Sequence, residues 1–495
     1  MQKRKLSAAL ALMISAQILA SCGSEGAPET TTSGDTDTSD EATENVTTTT
    51  TAEIPDDLPE KNYDGKTFSV LTYNTIKDDY VTDGENGEVV NDAIYHRDQT
   101  VSERFGVNIE YNAENDFNGT ASEIKKSVMS GDDAYQLVAH HVISMGTIAT
   151  DGLFMNWYDV PYIDFSKPWW AKSTTEDLTY GGDKVAIAIG DYALSALSGT
   201  YCYFYDKKIA EDYHLEDLYK VVNDGRWTLD YVKNTVKNMY TDLNGNGEKD
   251  SYDFYGLTQS LGSPLETYFY SFGGKVFNQD KDGIPTLVYK SERTADIISE
   301  VYDLCYETDG VTTEREQYTA SVHEIAAEAF RDELTAFAPG ILRMTTKHFR
   351  DKKNEYGILP YPKLDETQKE YKTMVDGSHA VLAVPKTVQD TEFVGIITEA
   401  LNAESHRQVF PAYYEVALKK KYTYDDESVK LLDEIVDSRV FDFGYVYDAW
   451  KGFGMYTQKI VGEKRSKDFE SYYATHCNAS IKHYDKIIKS LSELD

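Results

Sequence analysis

Hydrophobic residues along the first part of the chain's folded body follow two different periods in turn. The segments KTFSVLTYNT (66–75), VNIEYN (107–112) and AYQLVAHH (134–141) are rich in β-branched and aromatic residues and predict strands. Between them, residues 91–106 and 121–132 carry apolar residues at helical spacing, and Gly106 ends the first of these helices. This order of strands and helices predicts a parallel α/β sheet.

The pattern changes after residue 195 but still mixes strands and helices. Residues 200–213 predict a strand that runs into a helix, and the tail from 406 is mostly helical. The other predicted elements are a helix from Thr228, a strand at 254–260, a hairpin turning at Asp282-Gly283, strands at 356–363 and 379–387, and a helix at 392–405.

Parallel α/β sheets bind their ligands at the carboxyl ends of the strands. Tyr73 and Asn74 follow the first predicted strand, and His140, His141 and Ser144 follow the third. These residues are therefore expected on one rim of the sheet.

Length and charge narrow the class of protein. A chain of 495 residues with 41% hydrophobic residues can bury two or three cores. Its formal net charge of -35 argues against nucleic acid or an anionic membrane surface as a partner and suits a protein that works outside the cell.

The first 22 residues predict export and lipidation. Lys3, Arg4 and Lys5 precede an apolar run at 6–20 that is short for a membrane span, as in a secretory signal. The run ends in Leu-Ala-Ser-Cys, which resembles the lipobox of bacterial lipoproteins. That resemblance implies cleavage after residue 21 and a lipid on Cys22; the alternative is an ordinary signal peptide that happens to end near a cysteine.

The next segment, 22–60, is rich in Thr, Ser, Asp and Glu, and it contains neither Lys nor Arg. Such a composition cannot bury enough apolar surface to offset its ordering entropy, so a disordered tether is expected. The folded body is expected to begin near Lys61. A lipid followed by a tether and a folded body predicts a protein displayed on the outer face of the bacterial cytoplasmic membrane. Cys202, Cys305 and Cys477 lack metal-site spacing and are expected to be core residues or one weakly exposed thiol.

The stretch DLNGNGEKDSYD (242–253) has the spacing of a calcium-binding loop, with Gly247 at the turn. A helix is predicted before it but a strand after it, and there is no second complete copy, so neither an EF-hand pair nor a dockerin is indicated. A structural Ca²⁺ site is the favoured interpretation, and an acidic turn without an ion is the alternative. The expected ligands are Asp242, Asn244, Asn246, Asp250 and Asp253 through side chains and Glu248 through its carbonyl.

Several segments, in their order behind the lipobox, resemble extracellular solute-binding proteins of family 1, the group of ABC importer components that includes maltose-binding protein. YQLVAHHVISMGTIATDGLFMNWYDVPY resembles the group's strand, site loop and helix. TYCYFYDKKIAEDYHLED and YGILPYPK followed by GSHAVLAVPKT resemble its two crossing segments. The resemblance covers nearly all of 62–495. The segment PYIDFSKPWWAKS (161–173) marks a subgroup of the family, and the sequence does not specify the ligands of that subgroup.

The resemblance implies an α/β, two-lobed periplasmic-binding-protein-like fold of type II, with crossing strands and a ligand cleft between the lobes. Lobe one is expected at 62–195 plus 380–405, and lobe two at 196–379 plus 406–495. The implied protein is a monomeric receptor that delivers its ligand to ABC permease subunits and is not an enzyme.

A carbohydrate, and in particular an oligosaccharide, is the expected ligand. Sugar sites need aromatic platforms and a few polar groups. The resemblance favours His140 and His141 in the site loop and Trp450 as a platform, while Arg343 is expected either in the cleft or paired with a carboxylate. The candidates are Tyr73, Asn74, His140, His141, Trp169, Trp170, Tyr201, Phe272, Tyr445 and Trp450.

Two other functions stay open. A secreted calcium-dependent carbohydrate-active enzyme could use paired carboxylates, but 84 Asp and Glu residues make such pairs uninformative, and no hydrolase or phosphate-loop motif occurs. A surface glycan-binding lipoprotein without a transporter is the other alternative. Genes for a permease beside this one would favour import.

Overall fold

A computed structural model of the chain describes residues 54–318, 321, 323–414 and 426–494. The chain separates into two compact units, Met1–Ile54 and Pro55–Asp495, and every described residue except Ile54 belongs to the second. The predicted signal peptide (1–21), Cys22 and the tether up to residue 53 lie outside the described residues. No helix of the described part is long and apolar enough to cross a membrane.

The last residues of the predicted tether are part of the folded body. The buried Asp56 carboxylate accepts hydrogen bonds from Arg104 at 2.5 and 3.0 Å. Burial acts to raise the pKa of Asp56, but these hydrogen bonds outweigh it, so the pKa is lowered. Lys167 pairs with Asp57 at 2.5 Å. The body therefore begins near residue 55 rather than at 61. The two carboxylates have cationic partners far along the chain, and the composition of the segment gives no information about such partners.

Strands and helices alternate along the described chain. The strands are β1 (Lys66–Tyr73), β2 (Val107–Glu114), β3 (Leu137–His141), β4 (Tyr201–Asp206), β5 (Tyr240–Thr241), β6 (Phe254–Thr258), β7 (Phe277–Gln279), β8 (Pro285–Leu287), β9 (Val311–Thr312), β10 (Thr335–Ile341), β11 (Tyr356–Leu359), β12 (Thr373–Met374), β13 (Ala380–Ala383) and β14 (Arg439–Val440). The α-helices are α1 (Val89–Phe105), α2 (Phe117–Ser130), α3 (Val142–Ala149), α4 (Ser173–Glu176), α5 (Ser195–Ser198), α6 (Lys207–Asp212), α7 (Leu218–Asn223), α8 (Leu229–Val236), α9 (Ser263–Ser271), α10 (Glu292–Tyr302), α11 (Ile325–Arg331), α12 (Met344–Lys347), α13 (Thr391–Glu404), α14 (Phe410–Ala412), α15 (Asp426–Asp437), α16 (Phe443–Asp448) and α17 (Phe469–Ser492).

The first lobe is built on the sheet β13-β3-β1-β2. β1 pairs in parallel with both β2 and β3, and β13 closes the sheet antiparallel to β3. The predicted parallel α/β order is thus confirmed, and α1 ends at Gly106, whose φ of 60° is favourable for glycine. Helices α1, α2 and α13 pack around this sheet.

The second lobe is built on the sheet β11-β4-β10-β6-β5, with β9 beside β6. β4 runs antiparallel to both β10 and β11, whereas β10 is parallel to β6. All six residues of β4 are buried, which explains its nearly continuous apolar sequence YCYFYD. The predicted hairpin is also present as β7 and β8, and its Gly283 has a φ of 73°.

The chain crosses between the sheets at 195–200 and at 375–379. The two crossings touch, because the backbone nitrogen of Ala380 donates to the Ser195 hydroxyl at 2.9 Å and that of Asp376 donates to the Gly199 carbonyl at 2.9 Å. β12, just before the second crossing, pairs in parallel with β14.

The C-terminal section is shared between the lobes, unlike the predicted division at residue 406. Residues 405–412 pack against α1 of the first lobe, while α15 packs against β11 and α7 of the second. α16 then packs closely on α3, where a Cβ atom on Gly146 would overlap the Val446 carbonyl oxygen. The hydrophobic pattern of this section predicts helices but contains no information about which lobe they cover.

Candidate functional site

A cavity of about 650 Å³ opens between the two sheets. Its walls come from the loop after β1, the start of α3, the segment from β10 into α12, the second crossing and the residues after α16. The lining residues are Thr75, Asp78, His141, Ile143, Tyr201, Ser263, Ser321, His323, Glu324, Gly340, Ile341, Arg343, Met344, Lys347, Asp376, Gly377, Ser378, Trp450 and Met455.

A hydrogen-bonded network forms the floor of this cleft. The Tyr201 hydroxyl donates to Asp376 Oδ2 at 2.6 Å, and the Ser378 hydroxyl donates to Asp376 Oδ1 at 2.5 Å. The Arg343 guanidinium donates in turn to Ser378 Oγ at 3.2 Å. Burial acts to raise the pKa of Asp376, but the bonds from Ser378 and Tyr201 prevail and lower it, so the group is a carboxylate at neutral pH.

The second crossing can bring this network into the cleft because it contains a glycine. A Cβ atom on Gly377 would overlap the side chains of Ile143 and Tyr445. The crossing therefore lies against α3 and α16 at a distance that other residues do not permit, and Asp376 and Ser378 on either side of the glycine face the network.

One wall of the cleft carries a separate ion-pair cluster. Glu324 bonds to Lys347 at 2.6 Å and to His348 at 3.3 Å. The hydrogen bond from His348 and that from Lys347 lower the pKa of Glu324 to about 2. This cluster holds the start of α11 against α12, so both helices present a fixed wall to the cleft.

Two buried histidines beside the cleft, His141 and His379, are neutral at physiological pH. Burial lowers the pKa of both His141 and His379 to about 4. His141 Nδ1 accepts the backbone N–H of Ser144 at 3.3 Å and caps α3, and His379 is hydrogen-bonded to the Asp376 carbonyl at 2.6 Å. Each is therefore a fixed, uncharged element of the cleft rather than a cation.

Trp450 is the large aromatic residue that faces the cleft. It follows α16, and 53% of its surface is exposed. The other four tryptophans are all buried: Trp157, Trp169, Trp170 and Trp227. A half-exposed indole beside donors and acceptors is suited to stacking on the apolar face of a sugar ring.

Several predicted cleft residues lie in the core instead. Trp169 and Trp170 are buried and donate their indole N–H groups to the two oxygens of Glu399 at 2.8 and 2.9 Å. Phe272 is buried against Tyr268, and His140 is fully buried in β3 with its ring 5.6 Å from that of Tyr73. These four residues, Trp169, Trp170, Phe272 and His140, are buried and are not among the residues that line the cleft.

The remaining candidates divide between the cleft and its underside. His141, Tyr201 and Trp450 line the cavity, as predicted for the two rims. Tyr73 lies beneath the floor and donates to the Ser378 carbonyl at 3.3 Å, and Tyr445 is also buried there. Asn74 is exposed next to the lining residue Thr75.

Sequence reasoning missed most of the polar groups of the cleft, notably Asp376, Ser378, Glu324 and Lys347. A signal for the first two existed, because the crossing segment GSHAVLAVPKT was identified and the residues at a crossing must lie between the lobes. Glu324 and Lys347 carry no such local signal, since only the packing of α11 beside α12 brings them to the cleft.

The loop 242–253 folds around its own oxygen atoms. The Asp242 carboxylate accepts the backbone N–H groups of Gly245 and Gly247 at 2.6 and 2.8 Å, and Gly247 has a φ of 77°. The amide nitrogens of Asn244 and Asn246 both donate to Asp250 Oδ2, at 2.8 and 2.7 Å. Three of the predicted metal ligands, Asn244, Asn246 and Asp250, are therefore in direct contact, while Asp242 holds the backbone of the turn.

The fifth side chain, Asp253, is buried and accepts from the Tyr240 hydroxyl at 2.8 Å and from two backbone N–H groups at 3.1 Å. Within the described ranges no group of three or more Asp, Glu, His and Cys side chains is placed to hold a metal. A cation in this loop would thus depend on amide and carbonyl oxygens as well, and half a rotation of the Asn244 and Asn246 amides presents oxygen in place of nitrogen.

Comparison of the whole fold gives consistent similarities. An ABC substrate-binding protein from Listeria monocytogenes in complex with cycloalternan is 12% identical over 87% of this chain and 100% of its own, with a TM-score of 0.52. A cyclo/maltodextrin-binding protein complexed with maltotetraose is 14% identical over 87% and 97%, with a TM-score of 0.52. UspC of M. tuberculosis is 9% identical over 84% and 99%, with a TM-score of 0.55.

No protein-family model matches the sequence, and no curated protein matches it significantly. The similarity to solved structures nevertheless extends over nearly the whole folded body. The chain has the mixed α/β, two-lobed fold of the solute-binding proteins of maltose-binding type.

Proposed function

We propose that this protein is the extracellular solute-binding lipoprotein of an ABC importer and that it captures an oligosaccharide in the cleft between its lobes. The observation that carries the proposal is the half-exposed indole of Trp450 in the same cavity as the Tyr201–Asp376–Ser378–Arg343 network. An apolar platform beside fixed hydrogen-bonding groups matches the two surfaces of a sugar ring. Bound cycloalternan and maltotetraose in two proteins of similar fold support the same class of ligand.

The proposed mechanism is binding and delivery without chemical conversion of the ligand. The lobes close on the sugar by a hinge motion at the crossings, and the closed form docks on permease subunits. ATP hydrolysis takes place in a separate protein. Lipid on Cys22 would anchor the monomer to the outer face of the cytoplasmic membrane, and the acidic body would stay clear of nucleic acids and anionic lipid surfaces.

Calorimetric titration of the purified protein against a panel of plant and host oligosaccharides, in calcium, tests this function. We expect one or more saturable ligands that are recovered unchanged after incubation. Conversion of a bound glycan to products would show an enzyme instead, and failure of every saccharide to bind would refute carbohydrate as the ligand.

We also propose that the loop 242–253 binds a structural Ca²⁺, held by the side chains of Asp242, Asn244, Asn246, Asp250 and Asp253 and by the Glu248 carbonyl. The calcium-loop spacing of these residues and the contact of Asn244 and Asn246 with Asp250 beside the Gly247 turn support it. For a dissociation constant of about 0.1 mM, 10 mM Ca²⁺ would add about 2.7 kcal/mol to the free energy of unfolding. We therefore expect chelation to lower the thermal midpoint.

The variant Asp242→Ala should lose the response to calcium. Asp282→Asn, in the hairpin turn between β7 and β8, changes an exposed aspartate in a similar sequence and should keep the response. Equal thermal midpoints of the wild-type protein in calcium and in chelator would show that the loop is an acidic turn that binds no calcium.

A further inference from the structure

Arg343 is held in the cleft by its backbone, while most of its side-chain donors stay available. It lies between β10 and α12, and its backbone N–H donates to the Ser198 carbonyl at 2.7 Å. The guanidinium is half-buried, lines the cavity and donates one hydrogen bond, to Ser378 Oγ. A guanidinium has five N–H donors in a rigid fork, and within the described residues only one hydrogen bond from this group is present.

Apart from Asp78, the other charged side chains that line the cleft are already engaged. Lys347 is paired with Glu324, which also bonds to His348. The Asp376 carboxylate accepts from Tyr201 and twice from Ser378. Asp78 is an exposed residue of the rim.

Arg343 differs from these groups. In the part of the chain that the structure describes, no carboxylate pairs directly with its guanidinium, and its connection to Asp376 passes through the Ser378 hydroxyl. The buried carboxyl groups of Asp376 and Asp79 are close enough for the charge of Arg343 to act to lower their pKa values, but neither forms an ion pair with it. Other arginines of the described chain, such as Arg104 and Arg226, pair directly with carboxylates. A cation that is fixed in a ligand cleft without an ionic partner is complementary to an anionic ligand group.

On the basis of the proposed function, we infer that the ligand is an acidic oligosaccharide and that the Arg343 guanidinium binds the carboxylate of one of its sugar residues. A planar carboxylate fits the fork of donors that Arg343 directs into the cavity. Trp450, in the same cavity, stacks on a neighbouring sugar ring, and the Asp376 network fixes Ser378 and thereby the guanidinium. A neutral sugar would leave the guanidinium without an ionic partner when the lobes close.

Matched ligand pairs test this inference. Uronic-acid oligosaccharides from pectin, glucuronoxylan, alginate and hyaluronan are compared by calorimetry with the same oligosaccharides after chemical reduction of their carboxylates, which keeps every linkage. We expect the acidic member of at least one pair to bind about 10- to 100-fold more tightly than its reduced partner, with an affinity that falls as salt is added.

Two variants at position 343 test the residue. Arg343→Gln should abolish the preference for the acidic member, and Arg343→Lys should retain part of it because the charge remains but the fork is lost. Arg226→Gln, an exposed arginine paired with Glu216 and Asp224, is the matched control and should leave the preference unchanged. Thermal midpoints of all three variants show whether they are folded.

The outcomes separate this inference from the function on which it rests. If a saccharide binds but its reduced form binds equally well, or if Arg343→Gln leaves the acidic preference intact, the inference is refuted and the sugar-binding function stands. If neither the acidic and reduced pairs nor neutral oligosaccharides bind, the sugar-binding function fails and the inference fails with it.

Discussion

Replacement of Trp450 by alanine should weaken oligosaccharide binding by about 30-fold or more. Aromatic residues that stack on a ligand in a cleft commonly contribute about 2 kcal/mol or more, and this amount corresponds to about 30-fold in Kd. Trp450 has 53% of its surface exposed in the ligand-free cleft, so a sugar ring can cover it without any rearrangement of the core. Titration calorimetry of the variant against the ligand found for the wild-type protein measures the effect.

Two comparisons make this expectation specific. Trp450→Phe keeps a smaller platform and should recover part of the affinity, whereas Tyr158→Ala, at an exposed aromatic outside the cavity lining, should change nothing. The thermal midpoint of Trp450→Ala should stay close to that of the wild type because the indole is not part of the core. If Trp450→Ala has the same Kd as the wild type, Trp450 does not contribute to ligand binding.

Replacement of Glu266 by glutamine should stabilise the protein at alkaline pH. Glu266 lies in α9, a helix whose nine residues are all buried. Its Oε2 accepts the backbone N–H of Gln458 at 3.0 Å, and its Oε1 has no hydrogen-bond partner within the described chain. Burial raises the pKa of this carboxyl from its usual 4.5 to about 8, against the lowering effect of the Gln458 bond.

The direction of the pH effect follows from proton linkage. Between pH 4.5 and 8 the unfolded chain binds fewer protons at this position than the folded one, so the contribution of Glu266 to the free energy of unfolding falls as the pH rises through that window. A shift of 3.5 units corresponds to about 3–5 kcal/mol, fully developed above pH 8. Asp448, whose pKa burial raises to about 8, and Glu399, raised to about 7, act in the same direction.

Glutamine at position 266 keeps an acceptor for Gln458 but carries no charge. Urea denaturation at pH 4 should therefore give similar midpoints for Glu266→Gln and the wild type, whereas at pH 9 the variant should unfold at clearly higher urea. Glu211→Gln, at an exposed position on α6, should change the midpoint little at either pH. A constant difference between Glu266→Gln and wild type from pH 4 to pH 9 would show that Glu266 does not titrate as described.

Two parts of the site differ in how far they could be predicted. His141 was predicted because it ends a strand of a parallel sheet, where such residues share a rim, and Tyr201 because it lies in a segment identified as a crossing between the lobes. For Trp169 and Trp170 the sequence did not decide, because adjacent tryptophans are equally compatible with a sugar platform and with a buried pair, and the structure has both buried. Here Glu399 of α13, 230 positions away from Trp169, accepts both indole N–H groups and holds them in the core.

The sequence by itself determined the α/β class, the order of strands and helices and the glycines that end α1 and turn the β7–β8 hairpin, because these depend on local periodicity and backbone conformation. The two lobes were implied by the resemblance to solute-binding proteins and not by periodicity. Only the tertiary structure decided which lobe each C-terminal helix covers, that Asp56 belongs to the body, and that Asp376, Ser378, Arg343 and Trp450 share one cleft. These features join residues that are far apart along the chain, and their energies arise from contacts that no local pattern specifies.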